Sequence, residues 1–133
     1  MKVLLDTDIC IYIIKRSPAA ILERFAGYEV GDLGLSSITV AELAFGVDKS
    51  RHVEQNRRAL QQFLLPLTVA PFDHRAALTY GRVRAGLEAS GLPIGPLDTL
   101  IGAHAVALDV ALATHNVREF SRIPELRIER WGD

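Results

Sequence analysis

The sequence predicts an α/β protein, a three-layer α/β/α sandwich with a central, mostly parallel sheet. Residues 2–6 and 110–113 are short runs with an apolar centre, which is typical of parallel strands covered on both faces. Between such runs lie segments with helical hydrophobic periodicity, and this alternation indicates a parallel sheet with right-handed crossovers. No linker, repeat or low-complexity tract interrupts it, so we expect residues 1–133 to form a single domain.

The N-terminal quarter is predicted to contain one strand and two helices. The strand ends at Asp6, and Asp6-Thr7-Asp8 offers helix caps before Ile9–Lys15. The isoleucines of Ile9–Lys15 favour a strand by propensity, but the position after a capped strand end favours a helix, which we predict. A second helix begins at Ser17-Pro18 and ends at Gly27. Its apolar stripe is Ile21, Leu22 and Phe25.

The middle of the chain continues the alternation. Leu33–Leu35 is a short strand, and Ile38–Val47 is a helix with Val40, Leu43, Ala44 and Val47 on one face. Val53–Leu65 is an amphipathic helix that Pro66 terminates. Leu67–Ala70 is the next strand.

The C-terminal half contains two helices and two strands. Asp73 caps a helix that runs to about Ser90 and stops at Gly91. After a further helix, Val110–Ala113 is a buried strand, and residues 118–120 begin a short turn or helix. Residues 126–129 alternate apolar and charged side chains, as an edge strand does.

The further helix begins at Gly95 and Pro96, continues through Leu108, and carries Asp98 in its first turn. An acid there complements the helix dipole, which is one structural explanation for Asp98. Glu42 has a structural explanation as well, because Thr39-x-x-Glu42 matches a capping box.

A functional explanation is that these acids share one crevice. In parallel sheets, ligands bind beyond the carboxyl ends of the strands. Asp6 ends the first strand, Asn116 follows the fourth, and Glu42 and Asp98 lie near helix starts. Carboxylates about 4 Å apart repel by roughly 4 kcal/mol at an effective dielectric of 20, and a divalent ion removes this cost. Oxygen ligands suit Mg²⁺ or Mn²⁺.

Zinc is not expected, and neither is a covalent nucleophile. Cys10 is the only cysteine, and His52, His74, His104 and His115 have no metal-ligand spacing, which leaves surface or core roles for them. Acid-bound Mg²⁺ in an open crevice suits phosphodiester hydrolysis by metal-activated water.

The composition is that of a soluble globular protein, with 49% hydrophobic and 23% charged residues. We expect a reduced, cytoplasmic setting because Cys10 cannot form an internal disulfide, and Asp6 interrupts any signal-peptide core. A formal net charge of −1 gives no general attraction to nucleic acid, so binding has to rest on local basic clusters, which are also common on solvated surfaces. They are Lys15-Arg16, Lys49 with Arg51, Arg57-Arg58, Arg82 with Arg84, and Arg118 with Arg122.

Four motifs, in order, cover essentially the whole chain. They are Leu5-Asp6-Thr7-Asp8, Ser37-Ile38-Thr39-Val40-Ala41-Glu42-Leu43-Ala44-Phe45-Gly46, Pro93-Ile94-Gly95-Pro96-Leu97-Asp98-Thr99-Leu100-Ile101, and Ala113-Thr114-His115-Asn116-Val117-Arg118-Glu119-Phe120. The ordered set resembles the PIN-domain ribonucleases and, more narrowly, the VapC toxins of VapBC toxin–antitoxin pairs.

The resemblance implies an Mg²⁺- or Mn²⁺-dependent endoribonuclease. Asp6, Glu42 and Asp98 match the three principal acids of the family, which hold metal and polarise water. Thr114 matches the hydroxyl position near the scissile phosphate. The family often has an aspartate where this chain has Asn116, so Glu119 is an alternative for the fourth carboxylate.

The resemblance also implies partners. It suggests an RNA substrate, with tRNA as a reasonable class, inhibition by a cognate VapB-like antitoxin, and a homodimer, but no membrane. The isoleucines of Ile9–Ile14, with Tyr12, are candidates for the dimer interface or are core residues. Alternatives are a housekeeping PIN-domain RNA-processing nuclease without an antitoxin, a receiver-type signalling domain, which lacks its aspartate on the Leu67–Ala70 strand, and a degenerate binding module.

Overall fold

A computed structural model describes residues 1–16 and 19–132. Five strands form one sheet in the order β3-β2-β1-β4-β5, and every neighbouring pair is parallel. The strands are β1 (Val3–Leu5), β2 (Leu33–Ser36), β3 (Thr68–Ala70), β4 (Ala111–Thr114) and β5 (Ile128–Arg130). The helices are α1 (Thr7–Arg16), α2 (Ala19–Ala26), α3 (Ser37–Asp48), α4 (Val53–Leu64), α5 (His74–Ala89), α6 (Pro96–Leu108) and α7 (Val117–Phe120).

The central strand β1 has hydrophobic cores on both of its faces. Val3 and Leu5 belong to a core built with α1, α2 and α3, whereas Leu4 belongs to a second core built with α5, α6 and the segment after β4. Neighbouring side chains of a strand point to opposite faces, so an unbroken apolar run is what a strand between two helical layers needs. The predicted α/β/α sandwich with a parallel sheet is thereby confirmed.

The first core contains the single tryptophan of the chain. Trp131 is fully buried directly after β5, and its ring packs against Phe25 and Tyr28 at centroid distances of 5.7 and 6.2 Å. Its Nε1 donates to Glu129 Oε1 at 3.0 Å, which satisfies the one polar atom of the buried indole.

Most predicted helix boundaries are confirmed to within one or two residues. The segment after Asp6 is helical, as predicted. Asp73 caps α5 by accepting a hydrogen bond from the Ala76 backbone, and Gly91 has the positive φ of 69° that suits a helix stop. Helix α6 has Gly95 at its N-cap and Pro96 at its first position. The predicted start of α2 at Ser17-Pro18, and the side chain of Leu22, lie outside the described residues.

Three sequence-based expectations need correction. Strand β5 begins at Ile128 rather than Leu126, because Leu126 is buried in the second core and its N–H closes a turn onto Ile123. Ala44 is exposed rather than part of the buried face of α3. Ile9 and Ile13 of α1 are core residues, so only part of the predicted interface helix is accessible.

In the part of the chain that the structure describes, no helix is both long and apolar enough to span a bilayer.

The close approach of β2 to β3 requires a glycine. A Cβ on Gly34 would lie 2.5 Å from the backbone oxygen of Thr68, so Gly34→Ala should force these strands apart. We expect a loss of about 1–3 kcal/mol in the free energy of unfolding, measured by urea denaturation. Gly81→Ala is the matched control, because no atom lies within 4 Å of that Cβ position and a helical alanine should stabilise by about 0.5–1 kcal/mol. Equal effects of the two substitutions would contradict the packing argument.

Candidate active site

Asp6 lies at the carboxyl edge of the sheet, between β1 and β4. Its backbone N–H donates to the Ala113 oxygen at 3.0 Å, which extends the pairing of the two strands by one residue. The side chain is 2% exposed. Its Oδ1 accepts from the Ile9 backbone N–H at 2.8 Å, and its Oδ2 accepts from the Thr114 hydroxyl. Asp6 therefore caps α1 and is fixed against β4.

Glu42 projects from α3 and is oriented by Thr7. The Thr7 hydroxyl donates to Glu42 Oε1 at 2.7 Å and lies 3.2 Å from the Thr39 hydroxyl. Helix α3 is capped by Ser36, whose Oγ accepts from the Ile38 N–H. The expected Thr39–Glu42 capping box is wrong, because the helix begins earlier and Glu42 bonds to α1 instead of its own cap.

Asp98, in the first turn of α6, is half-buried and has no hydrogen-bond donor among the described residues. Its pKa is raised to about 6, first by burial and then by the negative charges of Glu119, Asp6, Asp8 and Glu42. The dipole of α6 alone would lower the pKa of Asp98, so its raised pKa shows that burial and the neighbouring acids outweigh the dipole. The structure thus brings α1, α3, α6 and α7 together at one edge.

Glu119 and Asn116 form a pair at the start of α7. Asn116 Nδ2 donates to Glu119 Oε2 at 2.7 Å, and the Gly95 backbone N–H donates to Glu119 Oε1 at 3.1 Å. These two bonds lower the pKa of Glu119, so this carboxylate is charged. Among the acids that raise the pKa of Asp98, Glu119 has the largest effect, and Asn116 holds the Glu119 carboxylate in place.

Thr114 links Asp6 to the segment that carries Asn116 and Glu119. Its side chain is fully buried at the end of β4, donates to Asp6 and accepts from the Asn116 backbone N–H at 2.9 Å. All six sequence-predicted site residues therefore lie at this edge of the sheet: Asp6, Glu42, Asp98, Thr114, Asn116 and Glu119.

The sequence reasoning assigned no site role to Thr7 or Asp8. Thr7 orients Glu42, and the charge of Asp8 raises the pKa of both Asp6 and Asp98. The signal was the compact run Asp6-Thr7-Asp8, which the sequence interpretation used only for helix capping. Of the histidines, His104 is a core residue with its Nδ1 2.8 Å from Ser36 Oγ.

An apolar groove adjoins the acids. It lies between α1, α3 and α4 and has a volume of about 980 Å³. Its apolar lining includes Ile11, Phe45 and Leu60, and its lining at the active-site end includes Asp8 and Glu42. Phe45 is 65% exposed beside this groove, and an exposed apolar side chain that continues an apolar groove is typical of a surface that binds another molecule.

Comparison with known proteins places this chain in a family. Residues 3–126 match the model of the PIN domain. A tRNA(fMet)-specific endonuclease VapC of Salmonella typhimurium is 41% identical over 131 residues, and the match covers 98% of each chain. A ribonuclease VapC2 of Haemophilus influenzae is 42% identical over 131 residues, with the same coverage.

Solved structures agree with these sequence matches. The crystal structure of DNA-bound VapBC from Salmonella typhimurium superposes with a TM-score of 0.96 at 41% identity, covering 99% of both chains. VapBC-1 of nontypeable Haemophilus influenzae gives a TM-score of 0.90 at 37% identity, covering 98% of both chains. A parallel sheet with acids at its carboxyl edge, matched over the full length to such proteins, defines a PIN-domain nuclease. The chain belongs to the PIN-domain family and, within it, to the VapC ribonuclease toxins.

The donor chemistry of the edge fits a divalent cation, and PIN-domain nucleases are in general metal-dependent. Asp6, Glu42, Asp98 and Glu119 offer carboxylate oxygens, and the pKa values of Asp6 and Asp98 are raised first by burial and then by repulsion between these acids, both of which a cation would offset. Among the described residues, no three histidine, cysteine, aspartate or glutamate side chains form a preassembled metal-binding group.

The metal-free site should destabilise the protein at neutral pH. Burial raises the pKa of Asp6 from 3.8 to about 6, so the folded protein binds this proton more tightly than the unfolded chain does. The contribution of the Asp6 side chain to the free energy of unfolding therefore becomes unfavourable as the pH rises from about 4 to above 6. In EDTA at neutral pH, Asp6→Asn should raise the free energy of unfolding by roughly 2–3 kcal/mol. The gain should shrink towards pH 4, as measured by urea denaturation across this range.

The exposed variant Asp109→Asn is the control for that titration, because it removes an acid at the far end of α6. A stability gain from Asp6→Asn that does not change with pH would contradict the burial argument.

Proposed function

We propose that this chain, as a single PIN domain of residues 1–133, is an Mg²⁺- or Mn²⁺-dependent endoribonuclease that acts in the cytoplasm as the toxin of a toxin–antitoxin pair. The observation that carries the site assignment is the state of Asp98. Burial, and then the charges of four neighbouring acids, raise its pKa to about 6, and no described group donates a hydrogen bond to it. A carboxylate in this state is available to a cation.

The roles of the side chains follow from their hydrogen bonds. Asp6, Glu42 and Asp98 would hold the metal, which when bound lowers the pKa of water and neutralises the phosphate. Glu119 adds a fourth charge, and Asn116 fixes its position. Thr114 orients Asp6 through its hydroxyl. Because each acid comes from a different element, the site depends on the whole fold.

The proposed substrate class is tRNA. Support comes from the relative of Salmonella typhimurium, whose name specifies tRNA(fMet), at 41% identity over 98% of both chains.

The proposed antitoxin occupies the apolar groove between α1, α3 and α4. The matched structures from Salmonella typhimurium and Haemophilus influenzae are VapBC complexes, which supports a toxin over a housekeeping nuclease without an antitoxin. A peptide in this groove would cover exposed Phe45, and a basic side chain at its end would meet Asp8 and Glu42. It would thereby block access to the metal-binding acids.

A homodimer is also proposed, but α1 is a poor choice for its interface. Ile9 and Ile13 are buried in the core, and Ile11 and Ile14 line the groove that we assign to the antitoxin.

The receiver-domain alternative receives no support. Strand β3 lies at an edge of the sheet and consists of Thr68, Val69 and Ala70, so it offers no phosphoacceptor aspartate.

Cleavage of RNA should depend on Asp98 and on the metal. Asp98→Asn should reduce cleavage of total tRNA by at least about 100-fold, because the carboxylate without a hydrogen-bond partner is lost. EDTA should abolish cleavage by the wild-type protein, and added Mg²⁺ or Mn²⁺ should restore it. The matched control is Asp109→Asn, which makes the same change at the opposite end of α6, on an exposed side chain paired with Arg127. Undiminished cleavage by Asp98→Asn, or in EDTA, would refute the mechanism.

Antitoxin binding should depend on the groove. Phe45→Glu should weaken the affinity for the proposed cognate antitoxin by about tenfold or more, because it puts a charge on an apolar anchor. Leu78→Glu on α5 is matched in exposure, at 66% against 65% for Phe45, and lies outside the groove. Calorimetric titration of both variants measures the difference. If both lose affinity equally, or no antitoxin binds the wild type, the groove assignment fails.

A further inference from the structure

An aromatic side chain projects from the loop between two site residues. His115 stands between Thr114 and Asn116, so its Cα is about 3.8 Å from each of their Cα atoms. Its ring packs edge-to-face against Tyr12 of α1, with 5.2 Å between centroids and an interplanar angle of 80°. Gly132 makes room for it, because a Cβ there would lie 2.4 Å from His115 Cε1. Both rings are only half-buried.

A cation extends this pair along α1. The Arg16 guanidinium lies 5.9 Å from the centroid of the Tyr12 ring, one helical turn further on. Arg16 is exposed and, among the described residues, it makes no ion pair. Many other arginines are neutralised by an acid, such as Arg84 by Glu88 and Arg127 by Asp109. The charge of Arg16 is therefore free to meet an anion.

We propose that Tyr12, Arg16 and His115 form a subsite for one unpaired nucleotide of the RNA, next to the phosphate that is cleaved. This proposal rests on the proposed ribonuclease function, and it adds the path that the RNA strand takes beyond the acidic residues. The base would stack on the accessible part of these two rings, and its phosphate would meet Arg16.

The physical need for such a subsite comes from charge. The acidic edge repels the phosphates on either side of the cut, and the net charge of −1 gives no general attraction. Stacking on aromatic rings is independent of charge and tolerates any base, while an arginine neutralises one phosphate. A base that stacks on these side chains has to leave the stack of a duplex, so the subsite favours a single-stranded segment over a duplex.

The test is binding of a short fluorescein-labelled single-stranded RNA in EDTA, followed by fluorescence anisotropy. Tyr12→Leu keeps an apolar side chain but removes the ring, and should weaken the affinity roughly 5- to 100-fold. Arg16→Gln should weaken it as well, and should reduce the slope of log K against log salt by about 0.7. The same RNA annealed to its complement should bind the wild type more weakly and respond less to Tyr12→Leu.

Helix α5 offers a matched control pair. Tyr80 and Arg84 are also separated by one turn, with Arg84 Nη1 3.0 Å from the Tyr80 hydroxyl, but they lie on a different helix and Arg84 is neutralised by Glu88. Tyr80→Leu and Arg84→Gln should leave RNA affinity and its salt dependence unchanged. Equal losses from the α1 and α5 variants would overturn the proposal.

A second measurement uses the unaltered protein, so that a misfolded Tyr12→Leu does not decide the outcome. Single-stranded RNA that carries 4-thiouridine should cross-link to peptides containing Tyr12 or His115, and cross-links that map only elsewhere would overturn the proposal. A loss of antitoxin affinity in Arg16→Gln without any change in RNA binding would instead assign these residues to a protein contact.

Failure of the ribonuclease function gives a different result. If the ribonuclease function is wrong, the wild-type protein does not cleave RNA in Mg²⁺. If only the subsite is wrong, the wild-type protein cleaves RNA and the α1 variants bind RNA as tightly as the wild type does.

Discussion

The pairing of β1 with β4 is the constraint on which the site depends. Leu5 pairs with Ala113 in parallel register, and one residue later Asp6 and Thr114 lie side by side, joined by the hydrogen bond from the Thr114 hydroxyl. A shift of either strand by one residue would turn its side chain to the opposite face of the sheet and separate the pair. The register is fixed by the two apolar cores on either side of β1, so the hydrophobic effect ultimately sets the position of the first acid.

From this pair outward, the acids differ in how firmly they are held. Both oxygens of Asp6 and both of Glu119 accept hydrogen bonds, and one oxygen of Glu42 does. Asp98 accepts none from the described residues. Hydrogen bonds therefore hold three of the acids in place, whereas Asp98 is held by none from the described residues. Because burial and mutual repulsion disfavour the charged carboxylates, a positive charge would stabilise this edge. A metal ion and a basic side chain of an inhibitor would satisfy the same need, which links catalysis and inhibition to one electrostatic cause.

The sequence was sufficient for the fold class, for nearly every helix and strand, and for the residues gathered at the edge, because these follow from apolar runs, caps and strand ends. It was insufficient where distant contacts compete with local patterns. The Thr39–Glu42 spacing is a valid local capping signal, yet Ser36 caps α3 and Thr7 of another helix binds Glu42. Likewise, the isoleucines of α1 have similar chemistry, and only the packing of the sheet decides which are buried. The hydrogen bond from Asn116 to Glu119 also required coordinates, because their spacing in the sequence does not fix the direction of either side chain.

The position of Trp131 gives the molecule a built-in optical reporter. As the only tryptophan, it packs between Phe25 and Tyr28 on the α2 side of the sheet and has no counterpart in the core beneath α5 and α6. The wavelength of its fluorescence emission should therefore shift when water reaches the core beneath α1, α2 and α3. Loosening of the core beneath α5 and α6 should leave that wavelength unchanged.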